Sequence, residues 1–388
     1  MLKSTVYFNK KVYLRASVLS KSRTDILKYI FFLLPLLITQ KLQSQTDWNV
    51  AVQYHYGSIV PHSKNISHLI TDKPDGFLIS LNKLSEKEHI WQDRYNDPDV
   101  GISFHGQMNH NEELGDLFGA YAHYNFYFLE RHLQLRVGQG IAYATHPFDK
   151  ESNYRNVAYG SQWMPSTYFM LSFDKKNIYR NIGVNAGFMF MHHSNATIKS
   201  PNTSTNTLSM VAGLTYSFDT PTISFAQNHS DLSVPEDTKW KLNTIFRAGI
   251  NESHIIGMGQ KPFYHLSAFA EKPMNDTGGI QVGAELFLSQ TLKELIPFLA
   301  TSFPETGMKK DSEWKRVGLF AGYEWYLNRL SIEGQMGMYV LDEYKKNGSL
   351  YQRLGLRYYI QPNVYGAVSL KTHFAKAEAF ELGVGYKW

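Results

Sequence analysis

The sequence predicts an all-β chain: a transmembrane antiparallel β-barrel of the outer-membrane type, with an even strand number of about 12 to 16. Three observations carry this. Apolar and polar residues alternate along one stretch after another. Many of these stretches run 10–12 residues, longer than the usual globular strand and matched to a tilted crossing of a bilayer. The segments that join them alternate between very short and long. Composition agrees: the 388 residues are 43% hydrophobic and 14% aromatic, yet the mean hydropathy is negative. Strands that are apolar on one face and polar on the other give that combination.

The first 45 residues stand apart. They hold eight Lys/Arg and one acid, Asp25, and carry the apolar run YIFFLLPLLI at 29–38. That run is too short to span a membrane as a helix. With basic residues before it and Leu42-Gln43-Ser44 after it, residues 1–45 read as a secretory signal peptide cut near Ser44–Gln45, for Sec-type export. Without this segment the formal charge of +5 becomes 31 bases against 33 acids. A nucleic-acid partner therefore loses its electrostatic support. The absence of cysteine excludes a disulfide scaffold and any thiolate metal or redox chemistry.

From residue 46 the elements follow in order. Trp48, Val50, Val52, Tyr54 and Tyr56 alternate with Asn49, Ala51, Gln53, His55 and Gly57, a period of two that means strand. Sixteen candidates follow the same logic, at 47–57, 75–83, 99–107, 117–128, 132–143, 164–173, 181–194, 206–218, 239–250, 262–272, 278–288, 316–326, 330–340, 350–360, 363–373 and 377–388. Only Leu129-Glu130-Arg131 separates the fourth from the fifth, and only Leu327-Asn328-Arg329 the twelfth from the thirteenth. The loops 144–163 and 341–349 are long and polar. Segments 84–98 and 219–238 break this short–long rule. No sustained 3.6-residue period stands out after residue 46. The last strand ends on Trp388, with Tyr386 and Leu382 on the same face. This resembles the C-terminal signal read by the barrel assembly machinery, which becomes an expected partner. Residues 219–388 read most simply as additional strands enlarging one barrel; a second small barrel is the alternative. The lumen-facing positions do not look densely charged, so no strong ion selectivity is expected.

One strand carries chemistry. From Ile182 the even positions are Val184, Ala186, Phe188 and Phe190, an apolar face that a barrel turns to lipid, and His192 and Ser194 continue it. On the next strand Asn206 heads the apolar series Leu208, Met210, Ala212 and Leu214. His192, Ser194 and Asn206 thus cluster on the outer wall at one membrane interface. The plain alternative is polar trim where the apolar band stops.

His192-His193-Ser194-Asn195-Ala196, followed by Pro201-Asn202, resembles the His-x-Ser-Asn … Pro-Asn motif of the lipid A 3-O-deacylase (PagL) family of acyloxyacyl hydrolase-like proteins. Pro74-Asp75-Gly76-Phe77, the stretch Gly119–Phe128 and Ala144-Thr145-His146-Pro147-Phe148-Asp149-Lys150 are similar to larger members of Bacteroidetes type. The resemblance spans roughly 47–218, and residues 46–218 are then a deacylase-like barrel half carrying the site. It implies an eight-stranded barrel with a serine hydrolase site on its outer wall, cutting the ester-linked acyl chain at position 3 of lipid A. It implies Ser194 as nucleophile and His192 as general base. The Asn195 N–H and the Asn202 side chain are then the oxyanion donors. It implies lipopolysaccharide and outer-membrane lipid as partners, the bacterial outer membrane as location, and no metal or organic cofactor. One position departs: the family's acid, twelve residues after the serine, is Asn206 here. That leaves a working Ser-His-Asn arrangement, an acid from elsewhere, or an inactive site. The other class of function is a non-catalytic barrel: a porin, transporter or structural protein with a relic site. Lys199 and Lys309-Lys310 could meet lipid phosphates, or be ordinary solvated loop charges.

Overall fold

The computed structural model describes residues 48–61, 63–85, 90–218, 239–374 and 376–388. The expected signal peptide and the 219–238 connection lie outside the described residues. The strands are β1 (Trp48–Val60), β2 (Asp75–Lys83), β3 (Asp99–Met108), β4 (Leu117–Phe128), β5 (Leu133–Ala144), β6 (Trp163–Tyr179), β7 (Ile182–His193) and β8 (Thr205–Ser217). They continue with β9 (Lys241–Asn251), β10 (Lys261–Asn275), β11 (Gly278–Ser289), β12 (Arg316–Leu327), β13 (Leu330–Leu341), β14 (Leu350–Gln361), β15 (Val364–His373) and β16 (Lys376–Lys387). All neighbours are antiparallel, and the strands close into two barrels, β1–β8 and β9–β16.

The strands after 238 therefore do not enlarge the first barrel. β8 turns back onto β1, pairing Asn49↔Ser217 through Val60↔Asn206. This consumes both edges and leaves none for β9. β16 closes likewise on β9, from Leu382↔Ala248 to Lys387↔Asn243. Eight strands make a barrel just wide enough for side chains to fill, so each set is complete by itself.

Both barrels are apolar outside and polar inside. Phe104, Leu171, Phe188 and Met210 of the first, and Phe246, Leu266, Leu354 and Val384 of the second, are exposed on the outer walls. Inside the first, Arg136 donates to Asn125 and Ser80, and His123 meets Asn82 and Ser103. The second lumen overturns the expectation of low charge. Arg247 reaches both oxygens of Glu333 at 2.9 and 3.1 Å. Arg353 bridges Glu285 and Glu381, and Arg357 bridges Glu324 and Glu333. These charges are fully buried and mutually paired. Removing one partner of such a pair typically costs about 3–5 kcal/mol, because a charge is left buried alone.

The barrels have a turn end and a loop end. At the turn end, Leu129, Glu130 and Arg131 all take positive φ in a tight connection. Residues 90–98 also lie there and contain the short helix α1 (Ile90–Arg94). Trp91 and Tyr95 pack edge-on against Tyr124 and Phe126 of β4. This segment also touches the second barrel: Arg94 pairs with Asp276 at 2.9 Å, and the Tyr95 hydroxyl donates to the carbonyls of Thr277 and Tyr326.

At the loop end the structure contains a helix that the sequence reading does not anticipate, α2 (Gln290–Ser302). Its signals are present. Ser289 caps it by accepting from the Leu292 N–H, and Leu292, Leu295, Ile296 and Leu299 are spaced for one buried face. Pro297 within it obscures the pattern. That face packs with Tyr344, Ile255 and Met258 over the mouth of the second barrel.

Candidate active site

The site forms where β7 ends, β8 begins and the 194–204 loop joins them. The pleat does what the alternation predicts. Met189, Met191 and His193 point into the lumen, while Phe188 and Phe190 point outward. His192 and Asn206 continue the outward face, half-buried, and are directly paired across the ladder. His192 Nδ1–H donates to Asn206 Oδ1 at 2.6 Å. An amide oxygen can only accept, so Nδ1 carries the proton and Nε2 is left as the basic nitrogen. Asn206 thereby holds the imidazole through an uncharged acceptor.

Ser194 is buried, 7% exposed, in the first turn of the loop. Its hydroxyl is held by the Asn202 amide, which donates from Nδ2 at 3.0 Å, and by the Ala196 N–H at 3.1 Å. The Asn195 N–H donates to Asn202 Oδ1 at 3.0 Å. The two groups expected as oxyanion donors are thus present beside Ser194 and bonded to one another. Of the sequence-predicted residues, Ser194, Asn195 and Asn202 are joined by hydrogen bonds on the loop, and His192 pairs with Asn206 across the β7–β8 ladder. The Ala196 N–H is missed by the sequence reading, since backbone donors leave no trace in residue type.

The loop is built rather than draped. Ala196, Thr197 and Ser204 take φ of +53°, +65° and +63°, a region non-glycine residues avoid and β-branched ones most of all. Neighbouring loops hold it. Thr203 and Ser204 donate from their N–H groups to the carbonyls of Val157 and Ala158, and the hydroxyls of Tyr159 and Thr205 meet at 2.5 Å. Gly160 lies so close that a Cβ there would sit 2.5 Å from the carbonyl oxygens of Lys199 and Pro201. The Ala144–Lys150 stretch supplies this backing. Buried Asn156 donates to the His146 carbonyl and accepts from the N–H groups of Ala158 and Tyr159.

The family model for lipid A 3-O-deacylase (PagL) matches residues 81–215. The model for the acyloxyacyl hydrolase C-terminal domain matches residues 240–388.

The chain belongs to the lipid A 3-O-deacylase (PagL) family.

Membership brings lipid A deacylation, an ester hydrolysis, as the general activity. No curated protein matches the chain. Among solved structures, a mutant of Rh. blastica porin is 10% identical over 88% of this chain and 99% of its own, with a TM-score of 0.20. The Yersinia pestis outer membrane protein Ail is 16% identical over 43% of this chain and 99% of its own, with a TM-score of 0.24. Likenesses that faint bear no weight beside the family match.

The match to the acyloxyacyl hydrolase C-terminal model covers β9–β16, a region in which the sequence alone shows no catalytic set. The residues that resemble the family's motif, 192–202, lie in the first barrel's β7 and the loop after it. Lys199 is exposed on the site loop, and Lys309 and Lys310 are exposed beyond α2.

Proposed function

We propose that this chain is an outer-membrane esterase that removes an ester-linked acyl chain, at position 3, from lipid A through a serine acyl-enzyme. The observation that carries this is the outward-facing His192–Asn206 pair, set above lipid-facing Phe188, Phe190, Leu208 and Met210 and next to Ser194 in its amide cradle. A lipid substrate reaches such a site from the bilayer without entering a lumen.

The chemistry follows from the residue types. A serine hydroxyl is a weak nucleophile until a base takes its proton. Ser194 Oγ attacks the ester carbonyl carbon and its proton passes to His192 Nε2. The negative oxygen of the tetrahedral intermediate draws the Asn195 N–H and the Asn202 amide away from one another and onto itself. Collapse breaks the bond to the sugar oxygen, which takes the proton back from His192. Water, deprotonated by His192, then attacks the acyl carbonyl carbon; the bond to Ser194 Oγ breaks, Oγ takes the proton back from His192, and the fatty acid is released. No step needs a metal or an organic cofactor. Export to the outer membrane, insertion by the barrel assembly machinery and a loop end facing outward complete the proposal.

The test is mass spectrometry of lipid A from cells expressing the wild type or Ser194→Ala. Loss of one hydroxyacyl mass with the wild type alone supports the reading. Equal loss with Ser194→Ala, or no loss from any lipid A offered to a correctly inserted protein, overturns it.

A further inference from the structure

The site loop is held from a second side, by the second barrel. The 252–260 loop between β9 and β10 runs alongside residues 197–200. Buried Glu252 is the centre of this contact. Its Oε2 accepts from the Ser200 N–H at 2.9 Å, its Oε1 accepts from the Gly259 N–H at 3.1 Å, and its own N–H donates to the Thr197 carbonyl at 2.8 Å. Ser200 Oγ donates to the Ser253 carbonyl, and Gln260 Nε2 donates to the Ile198 carbonyl at 2.8 Å. Thr197 Oγ1 donates to the Glu378 carbonyl at 2.7 Å, and Asn251 Nδ2 donates to that same oxygen at 3.0 Å.

The residues held are the ones that need holding. Thr197 is β-branched with φ +65°, three residues beyond Ser194, and lies between Glu252 and Glu378. Released, it would leave that conformation, and Asn195 and Ala196 would move with it. Those two residues supply the N–H groups around Ser194 and Asn202. The clamp is itself anchored. Thr291 of α2 donates to Asn251 Oδ1 at 2.7 Å, and Ile255 and Met258 of the clamp loop pack on the same helix.

We propose that the C-terminal barrel is a clamp for the nucleophile loop, and that Glu252 is its positioning residue. This rests on the proposed hydrolase function for its effect on rate, but not for its structural content. A carboxylate suits the place because it accepts from two N–H groups at once. Glu252→Gln keeps the length and one acceptor but turns a donor toward the other N–H. Glu252→Ala removes both. The clamp acts on geometry rather than on substrate binding, so its loss falls on kcat.

The experiment uses the full-length protein in detergent micelles. Amide hydrogen exchange in 195–201 is expected to rise about 10–10²-fold for Glu252→Ala, less for Glu252→Gln, and least for Gln260→Ala. The barrel strands should exchange as in the wild type. On hexa-acylated lipid A in mixed micelles, kcat is expected to fall in the same order, by about 10²-fold for Glu252→Ala, with KM within about threefold. Arg94→Ala removes the inter-barrel ion pair at the turn end and should change neither reading. Unchanged exchange in 195–201 for both Glu252 variants overturns the clamp, whatever the activity. Equal effects from Arg94→Ala overturn it too, by showing a general loosening of the barrel pair. A wild type inert on every lipid A counts against the hydrolase reading alone, since the exchange comparison still decides the clamp.

Discussion

Asn206→Asp is the substitution that separates the orienting and electrostatic duties of a triad's third member. Exchanging the acid for its amide in a Ser-His-Asp triad costs about 10⁴ in turnover, in large part because the amide selects the wrong histidine tautomer. Here that error is absent: the amide presents its oxygen to His192 Nδ1 at 2.6 Å. Only the charge is missing. With the two charge centres about 4 Å apart, a carboxylate would stabilise the imidazolium by about 1 kcal/mol if screened as in water, and about 4 kcal/mol at the effective dielectric of a protein surface. The pair is half-buried, and an acid must give up some hydration to sit there, so we expect about 2 kcal/mol. At about 1.36 kcal/mol per decade this is roughly a 30-fold rise in kcat, with KM little changed.

The assay is single-turnover release of hydroxyacid from lipid A in mixed micelles, with Asn206→Leu alongside. Asn206→Leu removes the acceptor and should lower kcat about 10²-fold. If Asn206→Asp equals or falls below the wild type while Asn206→Leu stays within about twofold of it, the residue does not orient His192 and the account of the site is wrong.

Asn202→Ala should lower kcat about 10²-fold or more, the usual scale for losing an oxyanion donor, read by initial rates on the same lipid. Gly160→Ala should impair activity while both barrels stay folded, because its Cβ meets the Lys199 and Pro201 carbonyls at 2.5 Å; rates and cold-electrophoresis mobility check the two halves. Arg353→Ala removes the close guanidinium partner that Glu285 and Glu381 share, leaving them the longer contacts to Arg247 and leaving Glu381 its His265 partner, and should destabilise the second barrel by about 3 kcal/mol, measured by urea unfolding in micelles. His254 lies in the clamp loop, and burial with the nearby Lys376 and Lys346 pushes its pKa below the ordinary histidine value. It therefore supports the fold while neutral, and that support is lost as pH falls through its lowered pKa; exchange in 252–260 should rise on acidification, and His254→Gln should flatten the rise.

The strands were legible in the sequence because a bilayer enforces length and strict alternation together. The sixteen predicted segments and the observed strands differ by a residue or two at most ends, with β6 running on to Tyr179 as the main exception. Closure was not legible. Alternation says which way a side chain points and nothing about which edge meets which, so two small barrels and one large one share a pattern. In the stretch that breaks the loop rule, residues 90–98 carry α1 and reach the second barrel through Arg94 and Tyr95. The second lumen's charge was not legible because Arg247, Glu285, Glu333, Arg353 and Glu381 are scattered along the strands and converge only when the barrel closes. The pairing of His192 with Asn206 on the outward face was legible because β7 and β8 are hairpin neighbours. Glu252 was not, since an Asn-Glu-Ser-His run after a strand reads as an ordinary loop until its contact with Ser200, 52 residues away in sequence, gives it a purpose.

An eight-stranded barrel with a filled lumen has no interior for a substrate, so any activity has to sit on its outside, where a loop has lipid on one side and water on the other. Neither solvent supplies rigid partners to hold a loop against its own backbone preferences. The first barrel covers one flank of the 194–204 loop through Tyr159, Gly160 and the 144–163 loop. The opposite flank would be bare in a single barrel, and there the structure presents Glu252, Ser253, Gln260 and the carbonyl of Glu378. A second lumen filled by paired internal charges makes a stiff post. A stiff post beside a strained loop explains why these strands close on themselves: merged with the first set, they would have made a wider barrel and left the loop unsupported.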